Sequence, residues 1–304
     1  MSSPTTSSVR RSQGVSASGW AAWLPLAVVP IAAIAVRNRV PPWIFMWALA
    51  LGIYAALKWA SWWRSAGRKQ ASTGRSLGYL IAWPGMDAES FLDDSRQVTA
   101  PGPSDWLWAF SKTIAGIVLV WLVARRVPVT EPLLRGWVGL LGMVLIAHFG
   151  MFHLVALLWR RRRVDAVPVM AAPIRSTSLG EFWGQRWNLG FRQLGHDLIF
   201  QPLHGRIGAG GAGFLVFVAS GLIHDFVISY PARGGYGLPT AYFVLQGAGV
   251  SFERSRIGKR LGLRRGVRGW LYTALFTAGP AFWLFHPPFV GNVVLPFMRA
   301  IGAG

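Results

Sequence analysis

The stretch FLVFVASGLIHDFVISY, Phe214–Tyr230, decides how the rest of the chain is read. It is apolar and long enough to cross most of a bilayer, yet His224 and Asp225 sit side by side inside it. An aspartate at the centre of a spanning helix costs roughly 3 kcal/mol by insertion scales, so something must offset that cost. An ionisable pair in such a place is a functional-site hypothesis by default.

Outward from this run, the composition points the same way. The chain has 304 residues, 53% of them hydrophobic, with 17 Trp and 18 Phe. Only 14% are charged, where a soluble domain has roughly 25%, and the apolar residues come in long blocks. The reading is an all-α, polytopic helical integral membrane protein with about seven or eight transmembrane helices. Weak period-2 alternation argues against an outer-membrane barrel. The expected spans are Trp20–Val36, Pro42–Ser61, Trp106–Ala124, Trp137–Trp159, Gly213–Tyr230, Leu238–Phe252 and Trp270–Phe285, with a partial eighth over Phe289–Ile301. Leu77–Trp83 is too short to span and reads as interfacial. Met1–Gly19, rich in Ser, Thr and Gly, is expected to be a disordered tail. Residues 20–304 then form a single membrane-embedded domain, with no internal repeat.

The formal charge is +20, from 31 Lys and Arg against 11 acids. These bases sit in short clusters between apolar runs, which is how cytoplasmic loops are marked, so nucleic acid is not an expected partner. Arg64–Arg75, Arg160–Arg163 and Arg254–Arg268 fall on one side when the N-terminus is placed in the cytoplasm. The expected location is a membrane of the bacterial inner (cytoplasmic) type. The chain has no cysteine, which excludes disulfides, thiol nucleophiles and cysteine-ligated metal.

Upstream of the histidine, Ser178 and Glu181 have capping-box spacing and predict a helix start. Trp183, Trp187, Phe191, Leu194 and Leu198 draw one apolar stripe over 181–200, with Arg186, Arg192, Gln193 and Asp197 opposite. Such a helix lies on the membrane surface or packs under the bundle.

Three motifs now stand in order: EFWGQRWN at 181–188, SGLIHD at 220–225 and WLFHPP at 283–288. Together they resemble the wax synthase-like branch of the membrane-bound O-acyltransferases, firmly over 178–288 and loosely before it. AWPGMD at 82–87 also looks like a patch of that branch. The chain departs from the usual pattern at Glu181 and Gln185, where Asp and Arg are usual, and at Asp225, where Glu is usual. The resemblance implies transfer of an acyl group from acyl-CoA to a hydroxyl-bearing lipid or small-molecule acceptor, first of all a long-chain alcohol. A sterol, diacylglycerol, terpenoid or sugar hydroxyl is the alternative acceptor. It implies catalytic roles for His224 and Asn188. Trp183, Arg186, Trp187, Ser220 and Asp225, from the same two motifs, are the expected substrate-binding residues. No cofactor is expected beyond acyl-CoA as substrate, and no metal.

The chemistry is reasonable for these side chains. A hydroxyl attacks well only while a base removes its proton, and a neutral imidazole serves best near neutral pH. An amide N–H such as that of Asn188 can stabilise the oxyanion that develops, a contribution of roughly 3–4 kcal/mol where it has been measured. The bland reading of His224 is a structural histidine bonded to a neighbouring helix. That of Asn188 is a hydrogen bond on a helix surface. A Ser220–His224 dyad is conceivable, because the two share a helix face. Asp225 points about 100° away, however, and cannot easily orient that ring. Ser220 more readily serves as a small residue that lets helices approach. His148 and His153 read as bundle packing. Some of the arginines, Arg186 and Arg192 nearest the motif, would bind the phosphates of coenzyme A. The rival of another class is a non-catalytic transporter or lipid-binding scaffold.

Overall fold

The computed structural model describes residues 20–35 and 37–304. The tail expected over 1–19 and the last residue of the first expected span lie outside them. Ten helical stretches carry the bundle among the described residues: α1 (Trp20–Ala35), α2 (Pro42–Arg64), α3 (Thr73–Ala82), α4 (Ala88–Leu92), α5 (Pro103–Arg126), α6 (Pro132–Arg161), α7 (Leu189–Ala232), α8 (Leu238–Arg254), α9 (Gly266–Leu284) and α10 (Pro287–Ala300). No strand is present among these residues.

The sequence dictates most of the ends. Proline opens α2, α5, α6 and α10, where its missing N–H costs nothing. Ser72 and Asp87 cap the short helices α3 and α4 by accepting the backbone N–H of Arg75 and Ser90. Arginine pairs close α5 and α6.

Among the described residues four helices are long and apolar enough to cross a bilayer: α2, α5, α6 and α7. The pair α9 and α10, bent by 59° at Phe285-His286, makes a fifth if its halves count as one span. The expected seven or eight spans are therefore not matched by helices of spanning length. The expected spans 20–36 and 238–252 correspond to helices of only 16 and 17 residues. A bend accounts for part of the difference: Pro287-Pro288 divides the last pair, whereas the widened turns fall inside α5, α6 and α7 and leave these long enough to span.

The largest departure concerns the surface helix expected over 181–200. The chain is helical over 179–186, extended at Trp187 and left-handed at Asn188 (φ 45°, ψ 60°), and only then restarts as α7. Asparagine tolerates the left-handed region better than most residues, which places the break at this position. The apolar stripe runs through the break because periodicity reports which face is buried, not whether the backbone is continuous. The second half of the expected surface helix is instead the first part of α7. That helix bends at Gly208 (φ 74°, ψ 165°) before it enters the run around His224.

Inside the bundle α7 and α8 run antiparallel in close contact. A Cβ placed on Gly221 would lie 2.8 Å from the Thr240 Cα, so the crossing depends on that glycine. The glycine, not the neighbouring Ser220, is the residue at closest approach.

Contacts also sort the loops into two ends. At one end Trp159 donates to the Ala82 carbonyl (2.9 Å), Arg160 to Thr99 (3.2 Å) and Trp270 to Ile174 (2.7 Å). At the other, Asn292 donates to the Ala232 carbonyl (2.9 Å) and Trp121 to Ile301 (3.2 Å). The clusters around Arg64–Arg75, Arg160–Arg163 and Arg254–Arg268 all belong to the first end.

Candidate active site

His224 closes the regular part of α7, just before a widened turn over 225–229. Its Nδ1 lies 2.7 Å from the Ser220 carbonyl oxygen one turn earlier. A carbonyl only accepts, so Nδ1 carries a proton, and in the neutral ring Nε2 keeps its lone pair. The Phe243 ring packs on the imidazole with centroids 4.4 Å apart. Ser220 therefore orients the ring through its backbone, and its hydroxyl takes no part in that bond.

Asp225 faces elsewhere. Its carboxylate accepts the N–H of Gly237 (2.8 Å), the N–H of Thr240 (3.0 Å) and the Thr240 hydroxyl. It thus satisfies the free N–H groups at the start of α8 and ties that helix to the end of α7. It is not among the residues that line the cavity beside His224.

Glu253 does the same job at the opposite end of α8. It is 1% exposed, and its two oxygens accept the N–H groups of Leu179 (2.8 Å) and Gly180 (2.9 Å). One helix of 17 residues, about 25 Å long, is thus fastened beside His224 at one end and to the EFWGQRWN segment at the other.

Within that segment Ser178 accepts the Glu181 N–H (3.0 Å), as the spacing predicts. The Glu181 carboxylate reaches back to the Thr177 N–H (2.8 Å) rather than to Ser178, and pairs with Arg186 at 2.6 Å. Burial pushes the Glu181 carboxyl up, but Thr177 and Arg186 outweigh it and hold the group below its ordinary range. Arg186 also donates to the Ala171 carbonyl (3.1 Å), so its fork is spent within the fold. Trp183 donates to Gln246 (3.2 Å), whose own amide is held by the Phe276 carbonyl (2.7 Å). Trp187 stacks on Phe182, with centroids 5.4 Å apart and ring planes 15° apart.

These elements enclose a cavity of about 700 Å³. His224, Asn188, Trp183, Trp187 and Ser220 line it, while Arg186 and Asp225 do not. Among the described residues no protein group bonds the Asn188 carboxamide; its backbone N–H is engaged by the Met170 sulfur at 3.3 Å and its backbone carbonyl by the Arg192 N–H at 3.1 Å. Arg192 and Arg254 line the same cavity. Phe243 and Arg254 both face it, and they are separated by a rise of about 16 Å along α8. The space therefore runs from the arginine-rich end down to the imidazole. Its deep part is walled by aromatic rings such as Phe214, Phe217 and Phe243.

Sequence reasoning missed Gln246, Glu253 and Lys58. Lys58 is the most legible of the three: a lysine inside the spanning helix α2, 1% exposed, donating to the Gly85 carbonyl and resting on the Tyr79 ring. The rule that singled out His224 applies to it equally. Glu253 was hidden by the arginines that follow it.

The chain is similar to known proteins over the same region. Residues 166–245 match the sequence model of the Membrane bound O-acyl transferase family. A long-chain-alcohol O-fatty-acyltransferase from Simmondsia chinensis is 32% identical over 143 residues, which is 43% of this chain and 40% of that protein. Acyl-CoA–sterol O-acyltransferase 1 from Arabidopsis thaliana is 29% identical over 155 residues, 46% of this chain and 45% of that protein. The match thus spans less than half the length of these relatives. Both are plant proteins, which gives the bacterial inner-membrane expectation no support.

Proposed function

We infer that this chain, a member of the membrane-bound O-acyltransferase family by its 166–245 segment, moves an acyl group from acyl-CoA to a long-chain alcohol. The observation that carries the reading is one cavity lined by an imidazole with a bare Nε2 and by the free carboxamide of Asn188. The names of the relatives support the acceptor class.

In this reading the donor enters from the arginine-rich end, which faces the cytoplasm together with the N-terminus. The alcohol lies with its hydroxyl against His224 and its chain among the aromatic rings. Nε2 takes the hydroxyl proton as the oxygen attacks the thioester carbonyl carbon. The carbonyl oxygen becomes an oxyanion, and the Asn188 amide donates to it. Collapse of the tetrahedral species breaks the carbon–sulfur bond. The imidazolium returns its proton to the departing thiolate, so ester and free coenzyme A leave and the histidine is restored. Ring walls keep water from the thioester, which limits hydrolysis. Trp183 and Trp187 shape the wall. Arg186 and Asp225 act through the segments they tie down.

A sterol acceptor is the second reading, favoured by the similarity to the Arabidopsis sterol O-acyltransferase. The test is to supply the purified chain with long-chain acyl-CoA and, separately, long-chain alcohols and sterols. Release of free coenzyme A matched by wax ester is the expected result. Steryl ester in its place selects the second reading. No ester with any acceptor favours the non-catalytic scaffold.

A further inference from the structure

The first turns of α7 have two faces. Asn188, Arg192 and His196 look into the large cavity, while Gln193 and Asp197 line a second one of about 340 Å³. Its remaining walls bring Trp23 from α1, Arg64 and Ser65 from the end of α2, and Asp87 and Glu89 from the start of α4.

Two features of this cavity need an explanation. The first is charge. Arg64 lines it together with three carboxylates: Asp87 caps α4 through the Ser90 N–H and hydroxyl, Asp197 is held by Gln193 and pairs with His196 (3.0 Å), and among the described residues Arg64 and Glu89 make no ion pair. Arg64 rests instead over the Trp23 ring at 5.7 Å. Flexible side chains of opposite charge around a small space ordinarily close on each other, so their separation fits a guest that carries both charges. The second is Ser65. It is 8% exposed and its hydroxyl has no hydrogen-bond partner, whereas buried polar groups are nearly always paired.

Position narrows the guest. Ala60, Ser61 and Arg64 of the cavity wall share the last turns of α2 with Trp59, Trp62 and Trp63, the kind of aromatic belt that sits at headgroup depth. The cavity belongs to the arginine-rich end, where a free cation is repelled, but locally it holds three acids to one arginine. A single tryptophan does not make the aromatic cage that a quaternary ammonium prefers. Carboxylates at hydrogen-bond reach suit an ammonium that still has protons to donate.

We propose that this second cavity binds the headgroup of an ethanolamine phospholipid. Arg64 and Ser65 take the phosphate, and Glu89, with the lone pairs that Asp87 and Asp197 keep beyond their bonds to Ser90, Gln193 and His196, takes the primary ammonium. Because Asp197 stands on the helix that begins at Asn188, an occupied headgroup site braces the wall shared with the large cavity. The inference does not depend on the acyl-transfer reading, since binding is measured without turnover.

The test uses the full chain in neutral detergent, stripped of lipid, with native mass spectrometry as readout. The probes are dioleoyl phosphatidylethanolamine, dioleoyl phosphatidylcholine and soluble phosphoethanolamine. The ethanolamine lipid should bind about tenfold more tightly than the choline lipid. Glu89→Gln combined with Asp197→Asn should erase that preference, and Arg64→Gln should weaken both lipids, with the helical circular dichroism of each variant unchanged. Displacement of the lipid by phosphoethanolamine supports the headgroup assignment. Equal binding of the two lipids, wild-type preference in the double variant, or no displacement by about a hundredfold excess of phosphoethanolamine overturns it.

Discussion

Glu253→Ala is the sharpest probe of how the site is held together. The wild-type carboxylate accepts two backbone N–H groups, from Leu179 and Gly180, in a position that is 1% exposed. Removal leaves both donors buried without a partner. Each such loss costs about 1–3 kcal/mol, so the variant should be destabilised by about 2–6 kcal/mol, with a further contribution from the space left behind. Glu253→Gln keeps the shape and one carbonyl oxygen, and should lose roughly half as much. The assay is reversible unfolding of the detergent-solubilised protein by a second, denaturing detergent. Tryptophan fluorescence reports the transition, helped by the 17 tryptophans of the chain. Acyl transfer should fall in parallel, because the segment so anchored leads directly to Asn188. Should Glu253→Ala unfold within about 0.5 kcal/mol of wild type, the anchoring argument is wrong.

Other expectations concern the cavity, the buried lysine and pH. Gly213 lines the large cavity, and a Cβ there meets nothing within 4 Å. Gly213→Leu should therefore displace about two methylenes of a bound chain, at about 0.8 kcal/mol each, and raise the KM for long-chain substrates roughly 15-fold while sparing short ones. Unchanged chain-length preference would separate Gly213 from the substrate path. Lys58→Ala removes the donor to the Gly85 carbonyl and opens a cavity, for a loss of about 2–5 kcal/mol in the same unfolding assay. A loss below about 0.5 kcal/mol would show that the lysine does not hold the loop. Glu181 sits below its ordinary value of 4.5 beside Arg186, so the stability it contributes is complete above that value and is lost as pH falls through the lowered one. The advantage of wild type over Arg186→Met should accordingly shrink on acidification from neutral pH to pH 3. A gap that stays constant would rule out that linkage.

Much of this was legible in the residues, and particular positions show why. His224 stood out because charge in a span is expensive, and that rule needs no structure. The capping role of Ser178 followed from spacing alone. The break at Trp187-Asn188 did not, because an amphipathic stripe looks the same whether its helix is continuous or refolded around one left-handed residue. The partners of Asp225 and Glu253 are distant in sequence or obscured by neighbouring arginines. Their task, closing helix ends on either side of α8, appears only once that helix is placed between the two motifs. Arg186 reads as an anion binder from its motif, but its nearest carboxylate, Glu181, is five residues away and claims it first.

The most direct test of the central claim is the rate of ester formation by His224→Gln beside wild type, with acyl-CoA and the preferred acceptor at saturation. Glutamine cannot accept a proton at neutral pH, so the account predicts a fall of about 10²–10⁴-fold in kcat, with the unfolding transition in place. A variant that makes ester at the wild-type rate would contradict it.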